Sequence, residues 1–280
     1  MAGRTVMITG ATRGVGRAAA LELAELQADL LVVGRSEQKG RLLAAECTDR
    51  GASGVEVLTG DLSSIAEVRR IAGEAESIRP HIHVLLNNAG AVFWKRQVSA
   101  DGFEMTFALN HLAPFLLTQL LLPKLEASAP SRVVVVSSDA AKGAWIDFDD
   151  LNAEKSYRGM RAYGQSKLAN ILFTQELARR LAGTGVTANC CHPGWVATGF
   201  NRNNGVVMRV GMVLSSPFAR TARKGAETPV YLAASPNVAN ESGGFYFNCR
   251  KQEPPRAIYD PVVASEVWRV SAEMVGLTPA

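Results

Sequence analysis

The run Thr5 to Thr9 (TVMIT), closed by Gly10-Ala11-Thr12-Arg13-Gly14-Val15-Gly16 and followed by the helical pattern Arg17 to Leu26, constrains the fold more than any other stretch. A short, β-branched apolar run without polar alternation reads as a strand covered on both faces, as in a parallel sheet. Glycines directly after it let a backbone approach a phosphate closely, and a helix beginning there aims unpaired N–H groups at the same point. The spacing is G-x-x-x-G-x-G rather than the commoner G-x-G-x-x-G, so a plain tight turn is the alternative at this stage.

The same alternation continues along the chain. Strands are predicted over Leu30 to Val33, Val55 to Thr59, Val84 to Leu86, Arg132 to Ser138, Thr187 to Cys190 and Gly244 to Phe247. Helices are predicted over Glu37 to Arg50, Ser64 to Ser77, Phe103 to Leu125, Arg161 to Leu181, Thr221 to Ala234 and Ala264 to Val275. With 280 residues, 47% hydrophobic and 20% charged, and with no linker or repeat, this reads as one α/β domain over 1–280.

In open α/β sheets, ligands bind beyond the carboxyl ends of the strands, so the strand-end residues carry the functional reading. The second strand ends Val33-Gly34-Arg35-Ser36. An acidic residue there suits a ribose 2′-hydroxyl, and a basic one accommodates a 2′-phosphate. Arg35, with Arg13 in the glycine turn, therefore predicts NADP(H) over NAD(H). The third strand ends Gly60-Asp61-Leu62, where Asp61 can accept from an adenine amino group or, with Ser63, simply start the next helix. After the fourth come Asn87-Asn88-Ala89-Gly90, small residues and amides that suit close passage of a cofactor. Asn110 and Pro114 are both poor choices inside a helix. They predict a local break in which Asn110 holds a water through freed backbone groups. The fifth strand ends in Ser137-Ser138, of which only one can face a given site.

Tyr163 and Lys167 are four residues apart in RAYGQSKLANILFTQELARRL and so share one face of a helix. An ammonium beside a phenol favours the phenolate, which would let the pair do acid–base work near neutral pH. None of the other tyrosines has a lysine at this spacing: Arg161, Ser235, Arg250 and Val263 follow Tyr157, Tyr231, Tyr246 and Tyr259. The segment Asp139 to Ala162, with Trp145 and Phe148, is expected at the substrate mouth. His192, before Pro193 and Gly194, has no carboxylate within sequence reach and reads as structural, and Cys190–Cys191 reads as buried strand. Phe200 to Ala219 mixes Met208, Val210, Met212, Val213, Leu214 and Phe218 with arginines and glycines. It reads as a substrate lid spanning 199–220, or as a short amphipathic stretch touching a membrane.

Several classes recede. A formal charge of +4 without a lysine block gives no footprint for nucleic acid. The four cysteines form no C-x-x-C and no metal spacing, which fits reduced thiols in the cytoplasm. The first strand starts almost at once, so no signal peptide or anchor is expected, and apolar stretches such as Phe115 to Leu122 fall short of a membrane span of roughly 20 residues.

Taken together, TGATRGVG at Thr9 to Gly16, Asn87-Asn88-Ala89-Gly90, Asn110, Ser138, Tyr163-Gly164-Gln165-Ser166-Lys167 and Pro193-Gly194 resemble the short-chain dehydrogenase/reductase family over essentially the whole chain. The segments SRVVVVSS, FDDLNAEKSY and GTGVTANCCHPGWV look most like its retinol dehydrogenase branch. The resemblance implies a Rossmann-type doubly wound, mostly parallel sheet of about seven strands. It also implies a catalytic tetrad: Tyr163 as proton donor, Lys167 lowering its pKa and holding the nicotinamide ribose, Ser138 bonding the substrate oxygen, and Asn110 holding a relay water. Cofactor contacts are implied for Gly10, Thr12, Arg13, Gly14, Val15 and Gly16 in the first turn, and for Arg35, Ser36, Asp61 and Leu62 at the next two strand ends. Asn87, Ala89, Gly90, Pro193, Gly194, Val196 and Thr198 would complete that set, with Tyr163 and Lys167 touching the cofactor too. The implied substrate is a small apolar carbonyl or alcohol, retinal-like, and the implied assembly a homodimer. A steroid or polyketide-type ketoreductase and a non-catalytic NADPH sensor are the alternatives.

Overall fold

The computed structural model describes residues 1–196, 220–252 and 260–278. β1 (Thr5–Thr9) is buried along its whole length, as its unalternating sequence requires, and lies parallel between β2 (Asp29–Gly34) and β4 (Val84–Asn87). With β3 (Gly54–Thr59), β5 (Ser131–Val136), β6 (Val186–Cys191), β7 (Phe245–Phe247) and β8 (Arg250–Gln252), they form one sheet in the order β3-β2-β1-β4-β5-β6-β7-β8. β1 to β7 run parallel, and β8 returns antiparallel beside β7. Among the described residues the sheet thus has eight strands rather than about seven. The sequence reading missed β8 because Arg-Lys-Gln shows no apolar face. Its turn is made by Asn248 and Cys249, both at positive φ.

Side-chain parity divides the core. Val6, Ile8, Leu30 and Val32 point to a layer formed by α1 (Gly14–Glu25), α2 (Glu37–Asp49) and α6 (Ala222–Ala234). Met7, Leu31, Leu85 and Val133 point to the other, formed by α3 (Ile65–Ile78), α4 (Met105–Ala127), α5 (Gly159–Arg180) and α7 (Pro261–Met274). Strand order reverses between β2-β1 and β4-β5, which opens a crevice at the carboxyl ends of β1 and β4.

Three helices show how local sequence shapes that crevice. α1 starts at Gly14, ahead of the expected Arg17, so the last two glycines of the turn belong to its first turn. α4 contains the expected irregularity as a widened π turn over Ala108–Leu112, with Pro114 next to it where a missing N–H does little harm. This 23-residue helix is longer than the apolar stretches read from sequence and would meet the length and composition of a membrane span, yet 72% of its apolar window is buried inside the fold. α5 starts at Gly159, where a Cβ would lie 2.5 Å from the Phe93 carbonyl oxygen, so glycine lets the helix rest on the Phe93–Trp94 backbone.

Candidate active site

A cleft of about 790 Å³ runs along the carboxyl ends of the strands. At one end the glycine turn is compressed against the end of β4. Gly10 has φ +65°, and a Cβ there would lie 2.8 Å from Ala89 Cα. A Cβ on Gly16 would lie 2.5 Å from the Gly10 carbonyl oxygen and overlap Asn88 Nδ2. Asn88 Nδ2 donates to the Thr9 carbonyl at 2.8 Å, while Thr9 Oγ1 accepts from the backbone N–H groups of Asn88 and Ala89, each at 3.0 Å. The turn is therefore pinned at both sides. Arg13 precedes α1 without a side-chain cap, which leaves the first-turn N–H groups facing the cleft.

Thr12, Arg13, Gly14, Val15, Arg35, Ser36, Asp61 and Leu62 all line this end, as expected. Arg13 and Arg35 are exposed, and among the described residues neither guanidinium makes an ion pair or side-chain hydrogen bond. Ser36 also caps α2 by accepting from Lys39 N, and Lys39 itself adds a cleft cation that the sequence reading did not single out. Asp61 lines the cleft, and its Oδ1 accepts from Ser63 N at 3.0 Å and Ser63 Oγ at 2.8 Å, so it orders the turn before α3 without capping that helix. Asn87 differs from expectation. Its amide turns into the core and donates to Thr118 Oγ1 at 3.0 Å, so the neighbouring Asn88, on the opposite parity, is the amide at the cleft.

At the other end, Ser138, Tyr163 and Lys167 come together from β5 and α5. The Ser138 side chain hydrogen-bonds the Tyr163 hydroxyl, and its Oγ accepts from Ala140 N at 3.2 Å. Ser137 turns away and donates to the Lys167 carbonyl at 2.7 Å, as strand parity requires. Lys167 Nζ donates to the Val136 carbonyl at 2.8 Å and stands 5.7 Å from the Tyr163 ring centroid. Burial pushes the Tyr163 phenol up to about 12, with the Ser138 hydrogen bond opposing, and pushes the Lys167 amine down to about 8, with the Cys191 thiol opposing. The ammonium is thus held under a strand carbonyl instead of at the phenol oxygen, and the expected lowering of the tyrosine pKa is absent from this arrangement. Tyr163 carries its proton at neutral pH.

Asn110 is fully buried at the π turn. Its Oδ1 accepts from Ala91 N at 2.8 Å, and its Nδ2 donates to the Ala91 carbonyl at 2.9 Å and to Ser166 Oγ at 3.0 Å. The carbonyl expected to hold a water accepts from Asn170 Nδ2 at 2.8 Å through one of its two lone pairs, so the residue also braces the segment after β4 against α5. Gly90 sits between the two groups: a Cβ there would lie 3.2 Å from Asn110 Oδ1 and 3.3 Å from Lys167 Nζ.

His192 lines the cleft and packs into its wall. It stacks on Phe247 at 4.1 Å, its Nδ1 accepts from Gly194 N at 3.3 Å, and burial lowers it to about 4. Asp139 Oδ1, 4.0 Å from its Nε2, is a carboxylate neighbour that sequence distance concealed. Pro193, Gly194 and Val196 line the cleft; Thr198 and all of the expected 199–220 lid except Arg220, which lines the cleft too, lie outside the described residues. Trp94, Met160 and Trp195 form an apolar rim, with Trp195 63% exposed. Of the expected mouth segment, Asp139, Ala140 and Lys142 reach the cleft along with Met160. Trp145 instead stacks under Arg161 at 4.7 Å, and Phe148 lies off the lining. All four cysteines are free.

The family pattern described as short chain dehydrogenase matches residues 4–206. Human retinol dehydrogenase 14 is 45% identical over 294 residues, covering 99% of this chain and 88% of that protein. Among solved structures, an uncharacterized protein from Mycobacterium Paratuberculosis superposes with a TM-score of 0.79 at 34% identity, covering 100% of this chain and 96% of that one. The Pseudomonas aeruginosa RhlG/NADP active-site complex superposes with a TM-score of 0.71 at 27% identity, covering 88% and 94%.

Proposed function

The chain belongs to the short-chain dehydrogenase family, in its retinol dehydrogenase branch, and on that premise we propose that it interconverts an apolar aldehyde or ketone and its alcohol with NADP(H), using Tyr163 as the acid. The observation that carries this reading is the cleft itself. A glycine cradle with two arginines that are unpaired among the described residues stands at one end, and a hydrogen-bonded Ser138–Tyr163 pair above Lys167 stands at the other.

The cradle fits a dinucleotide. The turn is too tight for any Cβ at Gly10 or Gly16, the uncapped N-terminus of α1 supplies N–H donors for a pyrophosphate, and Arg13 and Arg35 supply charge for a 2′-phosphate. The RhlG complex, with its bound NADP, supports the same choice of cofactor. Gly90 leaves room beside Lys167 that a methyl group would narrow. When bound, the nicotinamide supplies or takes a hydride at the carbonyl carbon.

The chain's own groups manage the oxygen. Ser138 Oγ and the Tyr163 hydroxyl are hydrogen-bonded to each other, so one substrate oxygen can be held by both. A phenol raised to about 12 is fully protonated at pH 7, the state a proton donor to a carbonyl requires. The apolar rim of Trp94, Met160 and Trp195 suits a substrate with a hydrocarbon body, and the similarity to a retinol dehydrogenase supports a retinal-like one.

The test is NADPH oxidation against retinal, aliphatic aldehydes, aromatic ketones and steroids, with Tyr163→Phe beside the native chain. The expected result is turnover that falls by at least about a hundredfold in the variant, within the range attributed to positioned acid–base groups. Dinucleotide affinity should stay within about threefold, because the ring and its packing remain. A variant that keeps the native rate would overturn the assignment of Tyr163.

A further inference from the structure

The proton-handling end of the cleft is backed by a buried polar chain that neither the motif pattern nor the proposed reaction uses. Its central member is His111, fully buried among the rings of Phe107, Phe115 and Phe173 at 5.0, 6.2 and 6.3 Å. His111 Nδ1 lies 3.1 Å from Asn170 Oδ1, and Nε2 lies 2.7 Å from Ser271 Oγ on α7. Asn170 Nδ2 donates to the Asn110 carbonyl at 2.8 Å.

This arrangement fixes a tautomer. A backbone carbonyl only accepts, so the Asn170 amide must present its NH₂ to Asn110 and its oxygen to His111. His111 must then carry its proton on Nδ1, and its bare Nε2 must accept from the Ser271 hydroxyl. Burial lowers this imidazole to about 4, so it stays neutral at working pH.

The consequence reaches the active site through the π turn. A π turn carries one more residue per hydrogen-bonded ring than an α-helix and persists only where its surroundings hold it. Here Asn110 is held by Asn170 at its carbonyl and by Ala91 and Ser166 at its side chain, while Ser166 Oγ donates to the Tyr163 carbonyl at 2.8 Å. Without the Nδ1–H donor, Asn170 Oδ1 would be left buried without a partner. The amide would rotate and release the Asn110 carbonyl, freeing the widened turn to relax toward α geometry and shift Asn110 away from Lys167.

We infer that His111 is a positioning residue for the reaction: as an Nδ1–H imidazole anchored by Ser271, it locks Asn170 and thereby sets the π turn that places Asn110 beside Lys167. This rests on the reading of Tyr163 and Lys167 as the reacting pair, and the experiment separates the two. His111→Asn puts an amide donor near the Nδ1 position. His111→Gln puts its amide near the Nε2 position instead. Both remove the same aromatic packing, so a purely structural histidine would give the two variants equal losses.

The measurements are melting temperature, kcat and KM for a carbonyl substrate, hydrogen exchange at the Asn110 to Leu112 amides, and the imidazole tautomer by nitrogen NMR. Both variants should melt lower by similar amounts. His111→Gln should lose about tenfold or more in kcat with KM nearly unchanged and should exchange the turn amides faster, while His111→Asn recovers both to within about threefold of native. Equal kcat losses in the two variants, or an Nε2–H tautomer in the native chain, would overturn the inference. If the native chain turns over no carbonyl, the proposed function fails, and the tautomer together with the exchange contrast still decides whether His111 holds the turn.

Discussion

Replacing Arg35 with aspartate is the sharpest probe of cofactor choice. The side chain is exposed at the end of β2, lines the cleft, and makes no ion pair or side-chain hydrogen bond among the described residues, so its removal breaks no described contact. A charge-assisted hydrogen bond contributes about 1.5 to 3 kcal/mol, and solvent exposure favours the lower end of that range. At 1.4 kcal/mol per tenfold, losing one such bond weakens NADPH binding by about 10- to 30-fold. Arg13 and Lys39 remain in the cleft, so binding is reduced and not abolished. The new carboxylate can accept from a ribose hydroxyl, which should raise NADH affinity by about 1 kcal/mol, or roughly fivefold. Fluorescence titration of both dinucleotides, at low and high salt, reads the ratio directly. The NADPH penalty should shrink at high salt, because the pair is solvent-screened. An NADPH-to-NADH preference that is the same in the variant and the native chain would refute the reasoning.

Other expectations follow from the same geometry. Gly16→Ala forces a Cβ within 2.5 Å of the Gly10 carbonyl and onto Asn88 Nδ2, which should destabilise the fold by about 1 to 3 kcal/mol in denaturant titration and weaken dinucleotide binding further. His111 and His192 both have folded pKa values lowered from 6.5 to about 4, so the unfolded chain binds protons first on acidification. Their contribution is complete above about pH 6.5 and is lost as pH falls toward 4, by at most about 3 kcal/mol each, and urea midpoints measured across that window should drop accordingly. Trp94→Ala, at the cleft rim, should raise KM for long hydrocarbon aldehydes by about 5- to 30-fold and leave short ones nearly unchanged, the loss of about 1 to 2 kcal/mol of apolar contact.

Much of the fold was legible because it is written locally. Thr5–Thr9 is apolar at every central position and Ser131–Val136 from Val133 onward, and a strand of that kind has few places to go except the interior of a parallel sheet. The glycine turn was legible for a related reason, since contacts with the ends of β1 and β4 exclude a Cβ at Gly10 and Gly16. Tyr163 and Lys167 were legible because four residues on a helix is a spatial statement as well as a sequence one. β8 was missed because it pairs through its backbone alone, with two charged residues and a glutamine as its side chains.

What stayed hidden depends on partners brought together by the fold. Asn87 and Asn88 are indistinguishable in sequence, and only the register of β4 sends one amide to Thr118 in the core and the other to the glycine turn. The N-terminus of α3 was expected to be capped by Asp61 or Ser63, yet Ile65 N donates to Asp101 Oδ2 at 2.9 Å, from a loop 36 residues away. Asn110 shows the same limit in the site itself. Its poor helix propensity announced an irregular turn, but the use of that turn is set by Ala91, Ser166 and Asn170. The groups proposed to handle the proton are therefore only partly specified by the motif that contains them. Lys167 Nζ is committed to the Val136 carbonyl, and burial leaves the Tyr163 phenol with its proton, so spacing places the pair while packing decides its protonation. Any redesign that transplants Tyr163 and Lys167 without the π turn and its buried partners should reproduce the spacing and lose the chemistry.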